Sequence, residues 1–253
     1  ATRAPKREEV SLAEAFPFHR DGLQTNRDYL ATAASRDALF TQLERIADGD
    51  LVLAASPHFD PERARAIARA VLTGEHGDRI RRLAYRPLET RFVCAVAPLC
   101  HRPRPELLRA TAHASLSLLS VRKDRGSLPF SLFGAARDVA DACFLSTRSS
   151  CRTRVFPSHD PDGQPNLSAE VRGRFADLSE RARPEQVIFF ALGVLSSARF
   201  REEQGDRLKR DYPRIPLPRS AAAVAAFCAA GEMALEALEG RWSDASRPEI
   251  SHS

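Results

Sequence analysis

The sequence predicts an α/β (α+β) fold, with a mixed β-sheet core in the middle of the chain and helices at both ends. Three observations predict it. Apolar residues recur at helical spacing near the start (Leu39, Leu43, Ile46) and again from Val187 to Leu195. Between residues 79 and 158 the pattern shifts to short apolar runs. Turn-forming stretches such as KDRGS and GAARD punctuate those runs.

Taken in order, the charged, alanine-rich stretch ATRAPKREEVSLAEAF lacks the apolar segment of a signal peptide, so residues 1–15 are expected to form a linker or a frayed N-terminus. Ser35 is placed to cap a first helix that Gly49 closes. Asp60 and Pro61 open a second helix with Ile67, Ala70 and Val71 inward, ended by Gly74. IRRLAYRP and RFVCAVA, in which Phe92, Cys94 and Val96 alternate, are expected strands, and a short helix begins near Pro105. Further strands are expected over Ser115–Val121, Leu128–Phe133 and Val139–Ser146. After the loop HDPDGQPN, Pro184 and Glu185 open a strongly buried helix, followed by a polar one over Ala198–Lys209. Prolines 213, 216 and 218 force PRIPLP to be extended. Ser220 caps a last helix with Val224, Phe227, Cys228, Gly231, Leu235 and Leu238 along one stripe, ending near Gly240; residues 241–253 are expected to fray. The ordered unit therefore spans 16–240, sheet-rich over 79–158 and helical over 184–240.

At 253 residues the chain could form one large domain or two small ones. Its net charge of +5 is carried by arginine with very few lysines, which permits a nucleic-acid partner without requiring one. Five cysteines at irregular spacing argue against a disulfide framework and fit a reducing cytoplasm. No uninterrupted apolar run approaches the ~18 residues of a membrane span, so no membrane partner is expected.

Catalytic signatures are missing. The chain has no Asn/Asp-Pro-Pro-aromatic loop, no glycine-rich cofactor turn, no GxxxxGK[ST], no HExxH, no GxSxG and no acidic-acidic-x-lysine nuclease set. Cys94, Cys100, His101 and Cys143 lack the paired spacing of a zinc site and are expected to be buried or incidental thiols. His159–Gly163 starts like a calcium loop without the later acidic ligands, and is expected to be a surface turn. Asp138 and Asp141 are expected to be solvated or structural, and His19 and His113 to lie in the core or on the surface. A non-catalytic binding role is the expectation.

Three ordered blocks carry a resemblance. LAYRPLETRFV (Leu83–Val93) with HRPRPELL (His101–Leu108) resembles a YRPFDxR block and its downstream RPRPEL stretch. ASLSLLSVRKDR followed by DVADACFLSTRSSCRTRVFP resembles an N-x-L-x-x-x-R, i-x-D-x-x-x-x-S, FPL succession. VIFFALGVLSSARFREEQGDRLKRDYPRIPLP (Val187–Pro218) resembles a segment running from L-x-S-P-x-Y-R to K-x-D-F-P-R-I-P. DGLQTNRDYL (Asp21–Leu30) is similar to a G-x-x-T-x-R-D stretch that precedes them. These blocks belong to the C-terminal target-recognition (specificity) domain of type ISP restriction-modification enzymes and related single-chain adenine-N6 DNA methyltransferases. The likeness runs from about Phe16 to Glu239. Leu88 and Glu89 stand where Phe and Asp are usual, Ser115 where Asn is, and Ser158 where Leu is. Ser197, Ala198 and Phe200 depart from S-P-x-Y.

The resemblance implies a non-catalytic domain that reads duplex DNA in restriction-modification or phage defence. A methyltransferase domain, in the same polypeptide or a separate subunit, would use S-adenosylmethionine; no cofactor is expected in this chain. The expected DNA-binding residues are Arg86, Arg91, Arg102, Arg104, Arg122, Lys123, Arg125, Ser146, Arg148, Arg152 and Arg154. Each arginine taken singly also fits a solvated charge or an ion pair. For Arg86 and Arg91, pairing with Glu89 or a backbone carbonyl competes with DNA contact, and Arg214 is expected to be a structural brace. An alternative is a protein-interaction module on the same scaffold, docking a methyltransferase or helicase through its apolar helices.

Overall fold

The computed structural model describes residues 8–241, apart from 52, 54, 57–58, 113–115, 125, 127–129, 149 and 180–182. Its first elements are β1 (Glu9–Ser11), α1 (Leu12–Ala15), β2 (Arg20–Asp21), α2 (Asp28–Ala31), β3 (Thr32–Ala33), α3 (Arg36–Asp48) and α4 (Pro61–Leu72). The middle of the chain supplies β4 (Ile80–Arg86), β5 (Glu89–Cys94), α5 (Pro105–Ala110), β6 (Ser117–Val121), β7 (Phe133–Ala136), β8 (Val139–Ala140) and β9 (Thr153–Pro157). The last third is α6 (Ala169–Ala176), α7 (Pro184–Ser196), α8 (Ala198–Leu208), β10 (Arg214–Pro216) and α9 (Ala221–Leu238). Helices thus lie near both ends of a sheet-rich middle, the expected mixed α/β class.

Local signals fix the helix ends. Ser35 accepts from Ala38 N–H, and Gly49 closes α3 at φ 86°. Asp60 accepts from the first-turn amides of α4, with Pro61 at the first helical position. The inner face of α4 is Ala64, Ala68 and Val71. Ile67 and Ala70, expected there, are only half-buried, because small residues let α4 lie close to α3.

The strands form two four-stranded sheets, ordered β2-β9-β6-β7 and β3-β5-β4-β8, and a two-stranded ribbon of β1 with β10. All pairings are antiparallel except β4 with β8. Several expectations change here. Residues 9–15, expected as linker, form β1 and α1: Val10, Leu12 and Ala15 are buried, and β1 covers the extended PRIPLP stretch through Val10 opposite Ile215. GAARD is not wholly a turn, because Gly134–Ala136 pair with β6. The strand expected over Val139–Ser146 stops at Ala140, where the Asp141 carboxylate accepts from Cys143 N–H and turns the chain. β9, which sequence periodicity did not single out, is the strand between β2 and β6. Residues 1–7 and 242–253, His113 and the beginnings of the runs expected from Ser115 and Leu128 lie outside the described residues, and of the Leu128–Phe133 run residues 130–132 are not strand, β7 beginning only at Phe133.

The largest core lies under α7, whose Val187, Ile188, Phe190, Leu192, Val194 and Leu195 are all buried. Each such side chain stabilises the fold by about 1.5–3 kcal/mol relative to exposure. α9 is, by length and composition, one helix long and apolar enough to cross a membrane, yet Val224, Gly231 and Leu235 pack it inward. Its contact with α7 depends on two glycines. A Cβ on Gly193 would fall 2.0 Å from the Phe227 carbonyl oxygen, and one on Gly231 2.0 Å from that of Phe189.

Gly231→Ala is therefore expected to push α7 and α9 apart and destabilise the protein by about 1–3 kcal/mol or more. The readout is a lower urea midpoint; an unchanged midpoint would show that the two helices do not cross at these glycines.

Candidate functional site

The segment Arg20–Thr25 joins the two large sheets. Arg20 and Asp21 pair with Val155 and Arg154 of β9. One residue later, Gly22 N–H donates to Thr153 O at 3.0 Å. Leu23 then bonds on the other side, its N–H to Ala140 O (2.9 Å) and its carbonyl to Ala142 N–H (2.7 Å), beside β8. Gln24 exchanges both backbone bonds with Arg102, at 3.2 and 2.8 Å. Gly22 is required for this passage, since a Cβ there would sit 2.6 Å from Ala140 O and 2.7 Å from the Asp141 carbonyl carbon.

This crossing gathers the basic segments. Val121 is opposite Thr153 in the β6–β9 register, so the turn after β6 and the one before β9 leave the sheet at the end where residues 22–28 emerge. Arg122 and Lys123 lie on the first turn; Ser146, Arg148 and Arg152 precede β9. The turns touch: a Cβ on Gly126 would be 3.3 Å from Arg148 Nη1 and 3.0 Å from Asp124 Oδ1. Asp124 accepts from Gly126 N–H and Ser146 Oγ from Arg148 N–H, which fixes both turns locally.

Asp21 sits between two arginines, 3.3 Å from Arg154 and 3.6 Å from Arg104. Arg154 Nε also donates to the Tyr212 hydroxyl at 2.7 Å. Burial pushes the Arg104 pKa down, and repulsion from Arg102, Arg152 and Arg154 adds to that against the pull of Asp21. The guanidinium nevertheless stays charged. Among the described residues, Asp21 is the one carboxylate within ion-pair range of these four arginines. Arg152 donates instead to the neutral Gln24 Oε1, and exposed Arg102 has no side-chain partner among the described residues. Lys123 and Arg148 likewise face no carboxylate within ion-pair range there, and Arg122 makes only an exposed contact of 3.5 Å with Asp211.

Arg86 and Arg91 are held internally. Arg86 donates to Asp141 at 2.9 Å and to the Tyr85 carbonyl; Arg91 donates to Glu89 at 2.7 Å. Both guanidinium carbons lie 3.9 Å from the Tyr85 ring centroid. The Tyr85 hydroxyl donates to Asp28, and burial together with that carboxylate raises its pKa. Burial also raises the Asp141 pKa, opposed by Cys143 N–H and Arg86, both of which its Oδ1 accepts from. Arg214 braces Glu9 and Glu14. Arg125 lies outside the described residues.

Cys94 and Cys100 are buried, their thiols pushed up to about 12. Among the described residues, no three His, Cys, Asp or Glu groups are placed to hold a metal. Asp160 caps its own surface turn by accepting from Asp162 and Gln164 N–H. Sequence reasoning missed Gln24, Asn26 and Tyr29. With Arg86 and Arg152 they line an open cleft of about 560 Å³. Their only signal was the DGLQTNRDYL block, which has no period of its own.

A family model described as the type ISP C-terminal specificity domain matches residues 14–239. No curated protein matches the chain. Solved structures do share the fold. A DrdV–DNA complex superposes with a TM-score of 0.63 at 16% identity, covering 89% of this chain and 23% of that one. The ATP-dependent type ISP restriction-modification enzyme LlaBIII bound to DNA gives 0.62 at 16% identity, over 88% of this chain and 16% of that one. A nuclease-deletion mutant of the type ISP enzyme LlaGI with a DNA substrate mimic gives 0.59 at 17% identity, over 87% and 18%. The chain thus spans 16–23% of the length of these structures.

Two outcomes are expected. Asp141→Ala leaves Arg86 and Cys143 N–H without their acceptor, costing about 1–3 kcal/mol in urea unfolding. Full stability in that variant would free Arg86 from its internal role. His19 lies against Phe156 and Tyr212, and burial foremost, then Arg154 and Arg20, lowers its pKa. The unfolded chain therefore takes up the proton first, so this contribution to stability is complete above pH about 6.5 and falls as pH drops toward the lowered folded value. His19→Phe should flatten that part of the stability profile, and an unchanged slope would assign it to other groups.

Proposed function

Because this chain belongs to the type ISP C-terminal specificity domain family, we propose that it grips duplex DNA and reads its sequence on behalf of a separate catalytic module. The observation that carries this reading is the convergence at one sheet end of Arg102, Arg104, Arg152 and Arg154, of which only Arg104 and Arg154 meet a carboxylate, Asp21, among the described residues, beside the Arg122–Lys123 and Ser146–Arg148 turns. Such an excess of guanidinium charge suits a polyanion whose phosphates release counterions on binding. Arginine also matches phosphate oxygens and guanine edges bidentately. The LlaBIII and LlaGI structures, whose fold this chain shares, are bound to DNA and to a DNA substrate mimic, which supports the same reading.

The residues divide by how they are held. Exposed Arg102 and Arg122 and half-buried Lys123 act as phosphate contacts, which tolerate mobile side chains. Arg152, its guanidinium held by Gln24 Oε1, reads base edges, and exposed Arg148 does so from a turn fixed by its backbone bond to Ser146. Arg104 and Arg154, tied to Asp21, set the charge and position of the group. Arg86 and Arg91 hold the scaffold. The catalytic module is an adenine-N6 methyltransferase using S-adenosylmethionine, in the same polypeptide or a partner subunit, within a cytoplasmic restriction-modification system acting in phage defence. A docking module is the second reading, favoured by the uncovered outer face of α9, where Ala222, Ala225, Ala226 and Ala229 are exposed and Met233 is 62% exposed.

Binding to a random duplex pool over a salt series separates the two. Arg102→Ala and Lys123→Ala should weaken all sequences alike, each lowering the salt slope by about one. Arg152→Ala should cost about 1–3 kcal/mol and relax preference at one base pair. Salt-insensitive or absent DNA binding, with retention of a methyltransferase or helicase partner that α9 substitutions abolish, would replace DNA reading by docking.

A further inference from the structure

The geometry points to a nucleobase-binding site in the cleft between residues 24–29 and 141–152: a base of the bound nucleic acid, unstacked from its neighbours, lies against the Tyr29 ring. This rests on the DNA-binding reading above and adds to it a ligand for a cleft of which that reading uses only Arg152.

A site for a single base needs a flat apolar face and convergent hydrogen-bonding groups that meet the base edge. Tyr29 supplies the face. Its side chain is 67% exposed, while the residues that follow it in α2, Leu30 and Ala31, are fully buried. The Asp28 carboxylate just before it accepts from the Tyr85 and Thr25 hydroxyls. The helix is therefore fixed from both sides, and its aromatic ring is held at the rim of the cleft instead of in the core.

Gln24 and Asn26 supply the edge. Gln24 Oε1 accepts from Arg152 while its Nε2 donates to Asn26 Oδ1 at 2.7 Å, which locks the amide in one orientation. One hydrogen of Gln24 Nε2 and both of Asn26 Nδ2 have no partner among the described residues. Asn26 is exposed in the left-handed region at φ 57°. Exposed Thr147 adds a hydroxyl across the cleft. The lining carries two arginines, Arg86 and Arg152, and two carboxylates, Asp28 and Asp141; Arg86 is paired with Asp141, which leaves Arg152 to face the phosphates flanking an extruded base. The cleft volume, about 560 Å³, lies within the roughly 300–1,000 Å³ of small-molecule sites.

The test uses the 253-residue chain and two duplexes of one sequence, one fully paired and one carrying a single unpaired adenine, with affinity read by fluorescence anisotropy. The wild-type protein is expected to bind the bulged duplex about tenfold more tightly, in the range that base–aromatic stacking yields. Tyr29→Ala should bring the ratio of the two affinities to about one, and Tyr29→Phe, which keeps the ring, should preserve it. Arg102→Ala should weaken both duplexes and leave the ratio in place. Equal affinities in the wild-type protein, a preference that survives Tyr29→Ala, or one lost in Tyr29→Phe would overturn the base site. If paired DNA is still bound with its salt dependence, only this inference falls; if neither duplex is bound, the DNA-reading function falls with it.

Discussion

At Gly22 the backbone passes so close to Ala140–Ala142 that a single methyl group has no room. That contact fixes the register between the two large sheets. From Asp21, bonded to β9, to Leu23, bonded beside β8, the chain changes sheet within three residues. Every basic segment of the site is hung from this crossing. The 102–104 loop bonds to Gln24, the 146–152 turn leads into β9, and the turn after β6 leaves the same sheet end. A side chain at position 22 would separate the sheets, and the arginines would no longer share one neighbourhood.

Within that frame, charge is arranged by a few carboxylates. Buried Asp141 and exposed Glu89 pair with Arg86 and Arg91, and both guanidiniums lie against the Tyr85 ring. Asp21 touches two arginines and leaves their neighbours uncompensated. A partly buried ion pair is weak support for stability, since desolvation offsets much of the Coulomb gain. Its consequence here is geometric: Asp21 holds Arg104 and Arg154 together despite their repulsion, and an anion approaching from solvent meets the charge that remains.

What the sequence made legible follows from how local each signal is. The ends of α3, α4 and α9 were readable because Ser35, Asp60 and Ser220 bond to amides two or three residues away. β1 was not, because Val10 finds its partner at Ile215, and a short charged stretch carries no trace of so distant a strand. The same holds at the site. Arginine-rich turns could be recognised by composition, but which arginines face inward depends on Asp141, 55 residues from Arg86 in sequence. Gln24 and Tyr29 sit in a polar segment with no period, so only the family resemblance marked that stretch, and it assigned them no role.

The two kinds of contact that DNA reading requires place opposite demands on a side chain. A phosphate can be met by a flexible cation, because the charge acts over several ångströms and the backbone repeats. A base edge must be met by donors and acceptors whose positions are set beforehand, or ordering them on binding consumes the discrimination they supply. Arg102 and Lys123 meet the first demand. Gln24, held through both ends of its amide by Arg152 and Asn26, meets the second. Arg102 exchanges backbone bonds with Gln24, so in the proposed role these two groups are positioned by the same rigid backbone. A shift in that backbone would degrade affinity and selectivity together, which is why the tightest packing in this region lies beneath the site, at Gly22, and not in its exposed loops.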